Sequence, residues 1–371
     1  MPSKASKIEA IDWYSFLARP RLPSPSVESL DRLRDTSILV TGAGGSIGSA
    51  LSLQLAALRP RKLILLDASE QALHRLQFAL AQDSSNAQII TTLANVTDRA
   101  YLEEIFATHR PQLVYHAAAY KHVPLLEEHP LQAIVNNALG TFTLNECAAN
   151  IGVERIVLLS TDKAVAPLSI LGATKRIAEQ ITLAHRGVVL RLGNVLGTDG
   201  SVCETFFRQI SSGAPLTVAA NAERYFLTCE ETVDLLITAA TIAPSGSLVV
   251  PRLDRQHSIV SLAEFLIATL LPEAIPAIEY TGLRPGDKLC EALWSLDEQP
   301  FSATREGYFE LKQPALDRRV LHRELKQLEE TTRQRDLLRM LEIVQQLVPD
   351  YHPSTTVLKT LENLAQGVTQ R

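Results

Sequence analysis

Two strings in this chain carry residue types that can do chemistry. The first, Thr41-Gly42-Ala43-Gly44-Gly45-Ser46-Ile47-Gly48, follows the apolar run Ile38–Val40 and opens a helix-like stretch reaching Leu58. Glycines allow a tight turn there and let the backbone approach a pyrophosphate, which the free N–H groups at a helix start then bind. Asp67 ends the next apolar run. A carboxylate at that point accepts from ribose hydroxyls and disfavours a 2′-phosphate, so the pattern favours NAD over NADP. The second string, Ser160-Thr161-Asp162-Lys163-Ala164, follows the run Ile156–Leu159, and Lys175 comes after it. Polar residues at the carboxyl end of a parallel strand face a ligand crevice. A hydroxyl, a carboxylate and an amine side by side are candidates for proton transfer there. On an open surface, Asp162 beside Lys163 would be only an ion pair of small worth.

The elements that position these strings form a repeated alternation. Short apolar, β-branched runs at Ile38–Val40, Leu63–Leu66, Gln88–Thr92, Leu113–Tyr115, Ile156–Leu159 and Val188–Leu190 are separated by helix-length stretches. That rhythm predicts an α/β fold, a doubly wound parallel sheet covered on both faces, with a smaller carboxyl-terminal lobe. The expected divisions are an extension over 1–35, a nucleotide-binding domain over 36–193, a mainly substrate-binding lobe over 194–318 and a helical segment over 319–371. In the extension, Ile8–Leu17 reads as a short helix, and Pro20, Pro23 and Pro25 break regular structure after it. Beyond Gly193 helices are expected at Val202–Ser212, Thr228–Ala243, Ser261–Leu271 and Arg319–Val348, with a strand at Leu248–Val250.

Composition narrows the class. The chain has 371 residues, 46% hydrophobic and 21% charged, with Lys+Arg 36 against Asp+Glu 41 and a net charge of −5. This excludes wholesale disorder and gives no support for nucleic-acid binding. The four cysteines are dispersed, with neither a C-x-x-C pair nor nearby paired histidines, so no metal site or disulfide framework is expected. The first ten residues lack the apolar core of a secretory signal, and no run reaches the ~18 apolar residues of a membrane helix. A cytoplasmic location is the expectation.

The glycine spacing resembles the extended short-chain dehydrogenase/reductase superfamily, and further segments agree. Asn95-Val96-Thr97-Asp98 resembles the stretch that flanks the adenine, with Asn95 where Asp is usual. His116-Ala117-Ala118-Ala119 resembles the small-residue turn over the cofactor, and Asn137-Ala138-Leu139-Gly140-Thr141 the N-x-x-G-T helix. The superfamily's Y-x-x-x-K motif departs here: Lys175 is present, but Leu171 stands at the tyrosine position and cannot accept a proton. A narrower resemblance rests on Ser160–Ala164, Gly172–Arg176, Lys121-His122-Val123-Pro124, Arg191–Gly197, Gly200-Ser201-Val202, Arg224-Tyr225-Phe226 and Leu283–Leu289. Together they look like the UDP-N-acetylglucosamine 4,6-dehydratases of capsular polysaccharide biosynthesis, in a form without the membrane region many relatives carry.

That resemblance implies a reaction in which C4 is oxidised, the C5 proton is removed as the C6 hydroxyl leaves, and hydride returns to C6, with inversion at C5 expected. It implies Lys163 as the C5 base and Asp162 as the acid. Thr161 is the candidate proton acceptor at C4, and Lys175 the residue that holds the cofactor ribose. A lysine acting as base must be uncharged, so burial and nearby Lys175 are expected to depress the Lys163 pKa. The cofactor is expected to touch Gly42, Gly45, Ser46, Ile47, Gly48, Asp67, Asn95, Val96, Ala117, Ala118, Ala119, Asn137 and Lys175. The UDP-sugar is expected to touch Lys121, His122, Asn194, Ser201, Val202 and Glu291, with Arg224 and Arg284 on its diphosphate. The helices over Pro130–Asn150 and Ser169–Ala184 occupy positions where similar enzymes pair subunits, implying a homodimer or larger homo-oligomer. Two other functions compete. A UDP-sugar 4-epimerase needs no C5 base, so it would survive loss of Lys163. A catalytically silent nucleotide-binding scaffold would explain Leu171 and Asn95, and would yield no ketone product.

Overall fold

The computed structural model describes residues 11–81, 88–271, 276–303, 306–313 and 317–368. Strands β1 (Ser37–Thr41), β2 (Lys62–Asp67), β3 (Ile89–Leu93), β4 (Leu113–His116), β5 (Arg155–Thr161) and β6 (Val188–Leu192) are the six apolar runs read from the sequence. β7 (Leu248–Pro251), β8 (Gln299–Ala303) and β9 (Tyr308–Lys312) extend the same sheet, whose order is β8-β9-β7-β6-β5-β4-β1-β2-β3. β7 runs parallel to β6, while β9 and β8 add an antiparallel edge. The 193/194 boundary therefore does not separate sheet from lobe: three strands of the sheet come from beyond it. The last two are the least visible in sequence, because an antiparallel edge lacks the helix–strand rhythm.

Strand order reverses between β1 and β4, and ligands bind at the carboxyl ends of strands flanking such a switch point. The glycine-rich turn follows β1 and the Ala117–Ala119 turn follows β4, so both face that crevice. Gly42 is in the left-handed region at φ +69°, and a Cβ there would sit 2.6 Å from the Ala118 nitrogen. Only glycine allows the two turns to approach this closely. His116 beneath them is structural. It bridges Thr41 Oγ1 at 2.7 Å and Thr141 Oγ1 at 2.9 Å, and burial pushes its pKa down to about 3.

Several helices differ from expectation for local reasons. The stretch read as one helix over Pro130–Asn150 contains a π-helical segment, Ile134–Leu139, between Pro130–Ala133 and Gly140–Ile151. The segment read as one helix over Arg319–Val348 is two, Arg318–Gln334 and Leu337–Leu347. Arg335 turns left-handed at φ +58° and Asp336 caps the second helix. After the prolines, Ser26 caps a helix at Val27–Arg34 that the sequence reading left unstructured. Of the expected Ile8–Leu17 helix, residues 8–10 lie outside the described residues and Trp13–Leu17 is helical.

Two further cores flank the sheet. Phe206, Phe207, Leu216, Leu262 and Leu266 form the lobe core, closed by Ile11, Phe16 and Leu17 of the extension. In the other, Ile134, Phe142, Ile170, Ile177 and Ile181 pack with Leu325, Leu328, Met340, Leu341 and Val344. One apolar face of the Pro130–Asn150 and Ser169–Ala184 stretches is thus packed against helices of the same chain.

Candidate active site

β5 delivers Thr161, Asp162 and Lys163 to the switch-point crevice. Thr161 Oγ1 accepts from Lys163 N at 3.4 Å, capping a single 3₁₀ turn over Asp162–Ala164. The Asp162 carboxylate is fully buried. Its Oδ1 accepts from Thr161 Oγ1 at 2.9 Å and from Lys163 Nζ at 3.1 Å, while Oδ2 has no hydrogen-bond partner. Lys163 Nζ lies 3.4 Å from Asn194 Oδ1 and 3.5 Å from Glu291 Oε1, with 20% of its side chain exposed. The structure therefore brings Thr161, Asp162, Lys163, Asn194 and Glu291 together.

The charge of Lys163 runs opposite to expectation. Burial works to lower its pKa, but the carboxylates of Asp162 and Glu291 outweigh burial and the nearby charge of Arg224. The net shift is upward from lysine's ordinary value, because two anions face one cation at short range. Lys175 behaves as Lys163 was expected to. Burial depresses its pKa to about 8 against the opposing charge of Glu179, and Nζ donates to the Leu159 carbonyl at 2.6 Å.

A buried ion network fixes the elements carrying these groups. Arg191 on β6 is fully buried. It donates from Nε to Glu179 Oε1 at 2.9 Å, from Nη2 to Glu179 Oε2 at 2.6 Å and from Nη1 to Glu298 Oε2 at 2.6 Å. Arg176 adds contacts to both carboxylates, and Ser160 Oγ donates to Glu179 Oε1 at 2.7 Å. β5, β6, the Ile170–Ala184 helix and the loop carrying Glu291 are thereby tied to one point. Burying four charges is tolerable only because each is paired and hydrogen-bonded.

The cofactor side is a cavity of about 310 Å³ lined by Gly42, Gly45, Ser46, Asp67, Asn95, Val96, Ala117, Ala118, Ala119 and Lys121. Gly48 and Ile47 lie behind this wall in the Ser46–Ala57 helix, Gly48 against the Gly42 carbonyl and Ile47 against the sheet core. Asp67 accepts from Gly44 N and Ser69 N, each at 2.8 Å, which leaves lone pairs for hydroxyls. These residues fit a dinucleotide: side-chain-free floor, helix start and carboxylate are all in register. Asn137 corrects the reading. It is buried, its Oδ1 accepts from Tyr120 N at 2.8 Å and its Nδ2 donates to Tyr120 O at 3.0 Å, so it braces the turn while Asn136 lines the cavity. The wider π-helical turn shifts the register that a plain α-helix implies. Arg75 and Asp199 also line the cavity, and neither carries a local sequence signal.

The substrate side departs more. Arg284 is 68% exposed and donates to Asp287 Oδ2 at 2.8 Å, so it does not converge on the site. Arg224 is buried, but its guanidinium is spent on the carbonyls of Glu223, Leu289 and Lys288 at 2.7–2.9 Å. Glu291 faces Lys163 and Lys288, and Lys288, which the sequence reading passed over, donates to Val165 O at 2.6 Å. Ser201 caps the Val202–Ser212 helix by accepting from Glu204 N, Val202 packs on the lobe core, and the His122 ring abuts Gly200. Leu171 is buried against the carboxyl-terminal helices' core and offers no proton acceptor.

Sheet order, switch-point crevice and glycine turn define a Rossmann-type nucleotide-binding fold of the extended short-chain dehydrogenase/reductase kind. The chain belongs to the polysaccharide biosynthesis protein family, whose model matches residues 38–313. It is 38% identical over 304 residues to the polysaccharide biosynthesis protein EpsC of Bacillus subtilis, covering 79% of this chain and 51% of EpsC. It is 40% identical over 276 residues to the capsular polysaccharide biosynthesis protein CapD of Staphylococcus aureus, covering 72% of this chain and 46% of CapD. The chain thus spans about half the length of these curated relatives. Among solved structures, Pen from Bacillus thuringiensis superposes with a TM-score of 0.71 at 26% identity, over 76% of this chain and 89% of Pen. Solved nucleotide-sugar dehydratases and 4-epimerases share the fold at lower identity. Among the described residues no helix is long and apolar enough to cross a membrane, and no cluster of three or more His, Cys, Asp or Glu could hold a metal.

Proposed function

We propose that this chain catalyses the 4,6-dehydration of a UDP-N-acetylhexosamine, with UDP-N-acetylglucosamine as the leading substrate, to a 4-keto-6-deoxy sugar inverted at C5. The observation that carries this reading is the buried Asp162 carboxylate, shared by the Thr161 hydroxyl and the Lys163 amine, with one oxygen unpartnered. Held by the glycine turn, Asp67 and Lys175, NAD would supply the hydride acceptor for C4 and return that hydride at C6.

The protons then balance. Thr161 takes the C4 hydroxyl proton as it passes its own to Asp162 Oδ1, which overcomes the weakness of a lone threonine as base. Protonation of Asp162 cancels one of the two anions that hold Lys163 charged, and the partly exposed ammonium sheds its proton to water. The amine takes the C5 proton and is an ammonium again, Asp162 protonates the departing C6 hydroxyl, and a solvent proton reaches C5 from the opposite face, which gives the inversion. One water leaves and each side chain ends as it began. Leu171 takes no part.

One observation favours a second reading, 4-epimerisation: a lysine held cationic between two carboxylates is a poor base. The two separate on product chemistry. Incubation with UDP-N-acetylglucosamine and related UDP-hexoses, followed by base treatment, is expected to give the near-ultraviolet absorbance of a 4-keto product. No such signal with any UDP-hexose would overturn the dehydratase reading.

A further inference from the structure

The turn Gly197–Ser201 spans the mouth of the cofactor cavity and is tied on both banks. On one bank, Ser46 opens the helix after the glycine-rich turn; its hydroxyl donates to Asp199 Oδ2 at 3.1 Å and accepts from Asp199 N at 3.0 Å. On the other bank, Lys121 Nζ donates to the Asp199 carbonyl. All three residues line the same cavity, so the bridge joins its two walls.

Two glycines bracket Asp199 in this turn. Gly197 and Gly200 are both left-handed, at φ +73° and +68°, and Gly200 lies against the His122 ring, where a Cβ would collide. Gly200 N donates to Glu204 Oε2, anchoring the far end to the Val202–Ser212 helix. Asp199 is not placed to bind phosphate. Its carboxylate adds negative charge beside a helix start that must receive an anion, and so opposes that ligand. What its three hydrogen bonds do is join the two walls. All are exposed, so each is weak enough to open and re-form.

We propose that Asp199, tied to Ser46 and Lys121, is a strap over the cofactor cleft that slows exchange of a bound dinucleotide in both directions. The proposal rests on the reading of this cleft as a dinucleotide site. A positioning residue of this kind acts on rates of passage more than on affinity. Asp199→Asn keeps an oxygen for the Ser46 hydroxyl as well as both backbone contacts. The double variant Asp199→Ala with Lys121→Met removes two of the three ties.

Stopped-flow fluorescence on the full chain tests this, following NADH binding and its displacement by excess NAD. The double variant is expected to release NADH about tenfold faster. It is also expected to bind NADH faster, with Kd moving less than about threefold, while Asp199→Asn, which keeps the ties and removes the opposing charge, is expected to release NADH no faster than the parent chain. Release rates within twofold of the parent overturn the strap while leaving the dinucleotide site intact. A faster release with unchanged association makes Lys121 a plain ligand and also overturns it. If the parent chain binds no NADH, the cleft reading and the strap fall together.

Discussion

Lys163 and Lys175 both stand beside the carboxyl end of β5, and their charge environments are opposite. Lys163 looks onto two carboxylates and is held as an ammonium, whereas Lys175 is buried against a carbonyl and has its pKa depressed to about 8. The sequence expectation placed the depressed pKa on the wrong one. What decides is the partner arriving from far along the chain: Glu291 reaches Lys163 on a loop pinned by Glu298, while Glu179 near Lys175 is already matched by Arg191 and Arg176. A lysine's role as base is therefore set by when its carboxylate neighbours are neutralised, as well as by its own burial.

The comparison breaks most sharply on Lys163. Lys163→Met is expected to lower 4-keto product formation by about three orders of magnitude while NADH binding persists, since it removes the C5 base and leaves the cleft. Substantial turnover in that variant would transfer the chemistry to an epimerase mechanism. The network holding the two lysines' supports comes next. Arg191→Met leaves the buried carboxylates of Glu179 and Glu298 to share the partly exposed Arg176 and is expected to cost about 3–5 kcal/mol of stability, read from urea denaturation. The surface pair Arg339–Glu342, cut in the same assay, is expected to cost less than about 1 kcal/mol.

Smaller effects sharpen the contrast. Glu291→Gln removes one anion facing Lys163, so the rising limb of rate against pH is expected to move to lower pH as the ammonium is lost earlier. An unmoved limb would mean that Lys163 does not titrate in that step. For Lys175 the sign reverses. The native chain gives up this proton near pH 8 and the unfolded chain near 10.5, so the unfolded state binds the extra proton between them. Stability is expected to rise with pH across that window, and Lys175→Met should flatten the rise in urea midpoints measured at pH 8 and 10.

What could be read in advance was local. The six parallel strands and the glycine turn are legible because continuous β-branched runs and a glycine pattern encode their own geometry, and Thr161–Lys163 follow directly from their place after β5. The losses came from sequence-distant contacts. Nothing near Arg284 shows that it turns to Asp287 and solvent, and nothing near Arg224 shows that backbone carbonyls take its guanidinium. Asn137, inside a π-helical turn with no sequence mark of its own, is bonded to the Tyr120 backbone, and Asn136 beside it lines the cavity. The packing of Ile170–Ala184 against Leu325 to Val344 was equally hidden, because those partners lie far downstream in the chain.

The central claim, that Lys163 removes the C5 proton of a 4-keto intermediate and a solvent proton replaces it, is tested most directly by NMR of UDP-N-acetylglucosamine turned over in deuterated water. The predicted product carries deuterium at C5, a methyl group at C6 and a ketone at C4. A product inverted at C4 that keeps its C6 hydroxyl and its C5 proton would contradict the claim.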